Sequence, residues 1–283
     1  RTAPARSVPA LGAIEVTTIP RNGARSGVQW TSDVRGIRPT LALTGQVVVG
    51  DSVTLEVALR HPSGAWLDAF AEALAARGIR VRGGVEPNAF ADTTGMVTLA
   101  ARPSPTLREI LPRFEKPSQN QIGELLFKTL GRVETGSGTA DSGRVVVERQ
   151  LLAWGADSAG FAVRDGSGLS RHDYLTPETV VRVLDAMRRH PEFRTFYDAL
   201  PNAGIDGTIR SRLRGSPAQG NVRAKTGTLD KARALSGYVT TADGRLLLFS
   251  MLANNHVVAN REIERVQDTL LVWLASNPIG APR

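Results

Sequence analysis

Apolar residues near the start of the chain recur at every second position, which is the period of a half-buried β-strand. This pattern predicts strands over residues 14–19, 41–49 and 53–59, and glycine and asparagine lie in the gaps between them. Short strands separated by such breaks are typical of a β-rich unit. We therefore place a β-rich unit at residues 1–60, with a domain boundary near residue 60.

Beyond residue 60 the apolar spacing changes to three and four residues, which predicts helices. The first places Trp66, Phe70 and Leu74 on one face of a helix over residues 65–77. Further helices are predicted over residues 105–111, 119–130, 142–154, 177–189, 191–200 and 262–274, and strands over residues 79–81, 96–100, 161–163, 234–240 and 245–253 and around residues 225–228. A few strands beside flanking helices make an α+β layered domain, which we place at residues 61–283.

Two of these helices show apolar faces that we expect to point inward. In the helix over residues 119–130 the expected face contains Ile122, Leu125, Leu126 and Leu130, and we expect Gly131 to end the helix. In the last helix it contains Ile263, Val266, Leu270 and Trp273.

The net charge of +8 arises from 35 basic and 27 acidic residues, and only four of the basic residues are lysines. The arginines are scattered and aromatic residues make up only 5% of the chain, so we see no stacking platform and predict no nucleic-acid partner. A basic surface suits an anionic polymer such as cell wall equally well. The chain has no cysteine, and its four histidines lack metal-ligand spacing, so we predict no metal and no cofactor.

Two short motifs bring together residues that could carry chemistry. Lys225, Thr226, Gly227 and Thr228 lie on one predicted strand, where lysine supplies a compact point charge that arginine would not. About a hundred residues earlier, Ser118-Gln119-Asn120 precedes a helix. If this lead-in is extended, residues two apart point the same way, and the hydroxyl and the amide face one cleft. The alternative is that Ser118 only caps the helix.

Four segments resemble the serine D-Ala-D-Ala carboxypeptidases of the penicillin-binding protein 4 type, the peptidase S13 family. They read KPSQNQIGELLFKTLG, RDGSGLSRHDYLTP, LPNAGIDGTIRSRL and VRAKTGTLDKARALSGYVTTADG. The resemblance implies a penicillin-binding, serine β-lactamase-like transpeptidase domain, an antiparallel sheet flanked by helices. Residues 1–60 then resemble the end of an inserted β-rich domain. The Asp165–Ser170 loop beside the implied site is also explained as a glycine-rich turn held by the Asp165 and Ser167 side chains, and we assign it no catalytic residue.

The family's nucleophile lies in a Ser-x-x-Lys motif, and no serine of this chain has a lysine three residues later. The resemblance implies that this segment lies upstream of Arg1, in the N-terminal part of the same protein. We therefore expect that part to be a partner of this chain.

By the same resemblance, each motif residue has an implied role. Lys225 attracts the carboxylate of a peptidoglycan stem peptide, and the hydroxyls of Thr226 and Thr228 bind that carboxylate. Gly227, which has no side chain, lets the substrate lie against the strand. Ser118 passes a proton to the leaving group, and Asn120 holds the substrate amide.

The expected protein is a periplasmic or cell-surface serine carboxypeptidase, with endopeptidase action as a second activity and β-lactam antibiotics as inhibitors. Two alternatives share the fold. One is a non-catalytic peptidoglycan-binding or scaffolding module, and the other is a β-lactamase.

Overall fold

A computed structural model describes residues 15–16, 25–33, 40–55, 62–83, 92 and 94–280. The chain divides into two compact units, Arg1–Ala100 and Ala101–Arg283. The domain boundary that the sequence predicts near residue 60 lies outside the described residues. The division into residues 1–60 and 61–283 therefore stays a prediction.

The first unit contains a three-stranded sheet with the order β1-β3-β2, formed by β1 (Glu15–Val16), β2 (Gly27–Asp33) and β3 (Thr40–Gln46). β3 is antiparallel to β2 and parallel to β1. The strand predicted over residues 14–19 is confirmed for its described residues 15–16, and the strand predicted over residues 41–49 is confirmed for residues 41–46 but is wrong for residues 47–49, which form no strand. The predicted strand over residues 53–59 is wrong for residues 53–55, which form no strand, and its remainder lies outside the described residues.

The helix predicted over residues 65–77 is confirmed as α1 (Pro62–Ala75), along which the Trp66 and Phe70 rings stack with their centroids 5.2 Å apart. The strands predicted over residues 79–81 and 96–100 are wrong, because among the described residues neither segment pairs with a neighbour. A short apolar run becomes a strand only where another strand satisfies its backbone groups.

The second unit is built on a three-stranded antiparallel sheet, in which β7 (Ala232–Thr240) lies between β6 (Arg223–Leu229) and β8 (Leu246–Asn254). The two-residue strands β4 (Phe161–Ala162) and β5 (Tyr174–Leu175) form a separate pair. The helices are α2 (Leu107–Glu115), α3 (Asn120–Thr135), α4 (Ala140–Ala153), α5 (Pro177–Arg189), α6 (Phe193–Ala199) and α7 (Asn260–Ser276).

The main core of this unit joins the sheet to α7, with Leu235 and Val239 of β7 and Leu271 of α7 in one buried cluster. The face predicted for α7 is wrong at three of its four positions, because Val266, Leu270 and Trp273 are all about half exposed or more, whereas Ile263 is partly buried. The helix buries Gln267, Leu271 and Ala275, a stripe one residue further along. Both stripes have the helical period, so packing against the sheet decides which of them is buried.

The face predicted for α3 is also wrong in part, because Leu125 and Leu130 are exposed. The helix buries Gly123, Phe127 and Gly131 and continues through Gly131 to Thr135. A Cβ atom on Gly131 would lie 2.7 Å from the backbone nitrogen of Gly143 in α4. The two helices therefore meet backbone to backbone, and glycine is buried where a leucine would not fit.

Candidate active site

Ser118 and Lys225 are 107 positions apart in the chain and touch in the structure. The Lys225 Nζ atom donates a hydrogen bond to Ser118 Oγ at 2.6 Å and another to the Thr226 carbonyl at 2.9 Å. Lys225 lies in the middle of β6, paired with Ser236 of β7, while Ser118 lies in the turn between α2 and α3. The fold therefore brings the Ser118 hydroxyl and the Lys225 ammonium together, as the motifs predicted.

The backbone at Ser118 differs from the predicted extended lead-in. Its φ angle is 60°, in the left-handed region that favours glycine, because the chain reverses tightly between the two helices. The Gln119 N–H closes this turn by donating to the Phe114 carbonyl at 2.9 Å. Gln119 occupies the N-cap position of α3, so the Ser118 hydroxyl is oriented toward Lys225 rather than toward the helix end. Asn120 is the first residue of α3 and is exposed.

Burial controls the electrostatics of this contact. Desolvation lowers the pKa of Lys225 below its ordinary value, and the charge of Glu115 at the end of α2 acts in the opposite direction. Desolvation likewise raises the pKa of Glu115, against the charge of Lys225. The site therefore holds a lysine that releases its proton more readily than a solvated one does.

The outer edge of β6 presents backbone groups beside this contact. The Ala224 N–H points away from β7 and donates to the Pro201 carbonyl at 3.0 Å. Alternate residues of an antiparallel strand direct their N–H groups to the same edge, so those of Thr226 and Thr228 also point outward. An extended peptide could add to such an edge by main-chain hydrogen bonds.

The hydroxyls of Thr226 and Thr228 lie in different surroundings. Thr226 Oγ1 donates to Thr208 Oγ1 at 2.8 Å. Gly227 and Thr228 instead line a cleft of about 510 Å³. A Cβ atom on Gly227 would lie only 3.1 Å from the Cβ of Ala234 on β7, so glycine is also suited to packing within the sheet.

Residues of the loop after β4 also line this cleft. The Asp165 carboxylate accepts hydrogen bonds from the backbone N–H groups of Gly168 at 2.6 Å and Ser170 at 2.8 Å. Ser167 Oγ donates to Glu124 of α3 at 2.7 Å. The predicted glycine-rich turn is confirmed, and Gly168 and Ser170 line the cleft.

Sequence reasoning missed Asp173, which also lines the cleft. Its Oδ1 atom accepts a hydrogen bond from the Arg164 backbone N–H at 2.5 Å. Burial, together with the neighbouring Asp165 carboxyl, raises the pKa of Asp173 to about 6. The motif RDGSGLSRHD contained both aspartates, but only the folded loop brings their carboxyls together.

Two further properties concern the described residues only. They contain no group of three or more histidine, cysteine, aspartate or glutamate side chains arranged to hold a metal ion. None of the helices described combines the length and apolar character needed to cross a bilayer.

Solved structures show which class of protein has this fold. Penicillin-binding protein 4 (dacB) of Haemophilus influenzae, solved with a β-lactam, matches with a TM-score of 0.69 and 23% sequence identity. The match covers 94% of this chain and 64% of that one. The fold is therefore the α+β fold of penicillin-binding proteins, as the resemblance implied.

The family follows from sequence comparison. The pattern of the D-Ala-D-Ala carboxypeptidase 3 (S13) family matches residues 5–277, and the chain belongs to this family. The D-alanyl-D-alanine carboxypeptidase of Actinomadura sp. (strain R39) is 39% identical over 243 residues, which are 83% of this chain and 45% of that protein. Carboxypeptidase DacB of Mycolicibacterium smegmatis is 35% identical over 186 residues, 61% of this chain and 40% of that protein. The chain thus spans less than half the length of each relative.

Proposed function

We propose that this chain supplies most of the active site of a serine-type D-Ala-D-Ala carboxypeptidase that acts on peptidoglycan stem peptides through an acyl-enzyme. The observation that carries the proposal is the 2.6 Å contact between Lys225 Nζ and Ser118 Oγ, beside the outer edge of β6 and the cleft that Gly227 and Thr228 line. Membership of the S13 family and the relatives named as D-alanyl-D-alanine carboxypeptidases support it.

The attacking serine belongs to a Ser-x-x-Lys segment outside these 283 residues, in the N-terminal part of the same protein. Its oxygen adds to the carbonyl of the penultimate D-alanine, and the peptide C–N bond breaks as the acyl-enzyme forms. The serine's proton passes to the leaving nitrogen through Ser118, whose hydroxyl is already hydrogen-bonded to Lys225. Water then hydrolyses the ester and restores the serine hydroxyl.

The strand residues act on charge and position. The outward N–H of Thr228 donates to the oxyanion, an interaction worth about 3–4 kcal/mol in comparable enzymes. The Lys225 ammonium and the Thr228 hydroxyl hold the free carboxylate of the substrate. The Thr226 hydroxyl is hydrogen-bonded to Thr208. Thr226 therefore contributes its backbone carbonyl, which accepts a hydrogen bond from Lys225 Nζ. Asn120, exposed at the start of α3, holds the substrate amide.

This function implies export to the periplasm or cell surface, where peptidoglycan lies, and inhibition by β-lactams, which acylate the same serine. A crystal structure of the Haemophilus influenzae relative contains such a compound. The basic surface of the chain agrees with an anionic cell-wall polymer as its surroundings.

A fluorescent penicillin and a synthetic peptide ending in D-Ala-D-Ala test the proposal together. The protein that contains this chain and its Ser-x-x-Lys segment should be labelled covalently and should release D-alanine. The isolated 283 residues should do neither. Labelling of the isolated chain would refute the placement of the nucleophile. Failure of the whole protein to label would indicate a non-catalytic binding module, and rapid turnover of penicillin would indicate a β-lactamase.

A further inference from the structure

A short segment before β6 contacts both the turn that contains Ser118 and the strand that contains Lys225. On the first side, the Asp206 Oδ2 atom accepts a hydrogen bond from Lys116 Nζ at 2.5 Å, and the two side chains are about two-thirds buried. The other carboxylate oxygen, Oδ1, accepts from the Asn202 backbone N–H at 2.9 Å. The carboxylate therefore fastens Lys116 to a fixed backbone position.

On the second side, Thr208 Oγ1 accepts the hydrogen bond of Thr226 Oγ1 at 2.8 Å. Thr226 follows Lys225 directly, and its carbonyl accepts from Lys225 Nζ. The segment 206–208 thus connects the residue two before Ser118 with the residue one after Lys225.

Gly207 brings the backbone of this segment against the turn. Its φ angle is +64°, and a Cβ atom there would lie 3.0 Å from the Lys116 carbonyl oxygen and 2.7 Å from the Cβ of Pro201. Any larger residue would push segment 206–208 and the turn apart. The close approach between segment 206–208 and the turn therefore requires glycine at position 207.

The Ser118 turn needs such support. A serine with a φ angle of 60° occupies a sparsely populated backbone region, and such conformations persist only where the surroundings hold them. A small rotation of the turn would move Ser118 Oγ out of reach of Lys225 Nζ.

We infer that Asp206 is a positioning residue for the proposed carboxypeptidase reaction: through Lys116 it holds the Ser118 turn at hydrogen-bonding distance from Lys225. The inference rests on the proposed function. Burial opposes ionisation of Asp206, but the hydrogen bonds from Lys116 and Asn202 and the charges of Lys116 and Arg223 hold its pKa below the ordinary value. The carboxylate is therefore ionised at neutral pH and pairs with Lys116.

The test is the substitution Asp206→Asn in the protein that contains this chain and its Ser-x-x-Lys segment. Acylation by a fluorescent penicillin is followed by stopped flow, which separates the dissociation constant of the first complex from the rate constant of acylation. We expect the rate constant to fall about tenfold or more, because misplacing a catalytic group by about 1 Å has effects of this order or larger. The dissociation constant should stay within about twofold, since Asp206 is bonded to Lys116 and Asn202 and does not line the cleft.

Asp268→Asn is the matched control. Asp268 in α7 accepts from Arg212 at 2.7 Å, and this pair is at least as buried as the pair of Asp206 and Lys116. It does not contact the Ser118 turn. Loss of this ion pair should lower the melting temperature without lowering the acylation rate constant. Equal loss of rate in both variants would show that Asp206 acts only through stability.

Lys116→Met removes the cationic partner of the same ion pair and keeps a side chain of similar length. If Asp206 acts through Lys116, the single variants and the double variant should lose the same rate, whereas additive losses would overturn the inference. If the unsubstituted protein is acylated and both single variants are acylated at the same rate, the positioning role is refuted and the proposed function stands. If the unsubstituted protein is not acylated at all, the proposed function fails as well. Should Asp206→Asn not fold, Lys116→Met alone decides the question.

Discussion

Lys225→Met removes the ammonium from the proposed site and keeps a side chain of similar length. The substitution deletes the hydrogen bonds from Nζ to Ser118 Oγ and to the Thr226 carbonyl. Hydrogen bonds of a charged group contribute about 1.5–3 kcal/mol each, and about 1.4 kcal/mol corresponds to a tenfold change in rate. If the Ser118 contact persists in the transition state, the acylation rate constant should fall by about 10- to 100-fold.

Fluorescent penicillin labelling of the protein with its Ser-x-x-Lys segment measures this rate. Lys128→Met is the control, because Lys128 is an exposed lysine of α3 and is not one of the residues that line the cleft. Lys225→Arg should remain slow, since a planar guanidinium does not reproduce a compact ammonium. Wild-type rates in Lys225→Met would refute the role assigned to the ammonium.

The same substitution should also change how stability depends on pH, because it leaves Glu115 buried without its neighbouring cation. Burial raises the pKa of Glu115 in the folded protein above its ordinary value. For a carboxyl with a raised folded pKa, the favourable contribution to folding is present below the unfolded pKa and is lost as pH rises through the folded value. Without Lys225, the unfolding free energy should therefore decrease more steeply as pH rises above the ordinary pKa of glutamate. Identical pH profiles for the variant and wild type would show that the two charges do not interact.

Two further predictions concern packing and titration. Gly143→Ala should destabilise the protein by about 1–3 kcal/mol, because the new Cβ would lie 2.3 Å from the Phe127 carbonyl oxygen. Gly138→Ala is the control, since its Cβ would meet nothing closer than 3.7 Å. Thermal melts should show Gly138→Ala to be nearly neutral. Asp173→Asn should flatten the pH dependence of stability near pH 6. Because the pKa of Asp173 is raised to about 6, the favourable contribution of Asp173 to the free energy of unfolding is present at low pH and is lost as pH rises through that value. A variant whose unfolding free energy keeps the wild-type slope between about pH 5 and 7 would contradict this assignment.

Where local chemistry specifies an element, the sequence predicted it well. The helix expected over residues 177–189 has those bounds in the structure, because Thr176 caps it by accepting from the Thr179 N–H and Pro177 opens it. The hairpin containing Lys225 was likewise visible, since strand alternation and a short connector are local signals. The two motifs and the resemblance also predicted that Ser118 and Lys225 would meet.

The sequence by itself therefore indicated the family, the helices and the main sheet of the second unit, and the motif residues proposed to carry the chemistry, but it missed the short strand β5 and Asp173. Tertiary structure alone decided which stripe of α3 and α7 is buried, because neighbouring stripes share one period and only the packing partner distinguishes them. It also decided that Ser118 adopts a left-handed conformation and that Asp206, Gly207 and Thr208 brace it. Contacts between positions about ninety residues apart leave no periodic signal in a single sequence, since they depend on how the elements pack together.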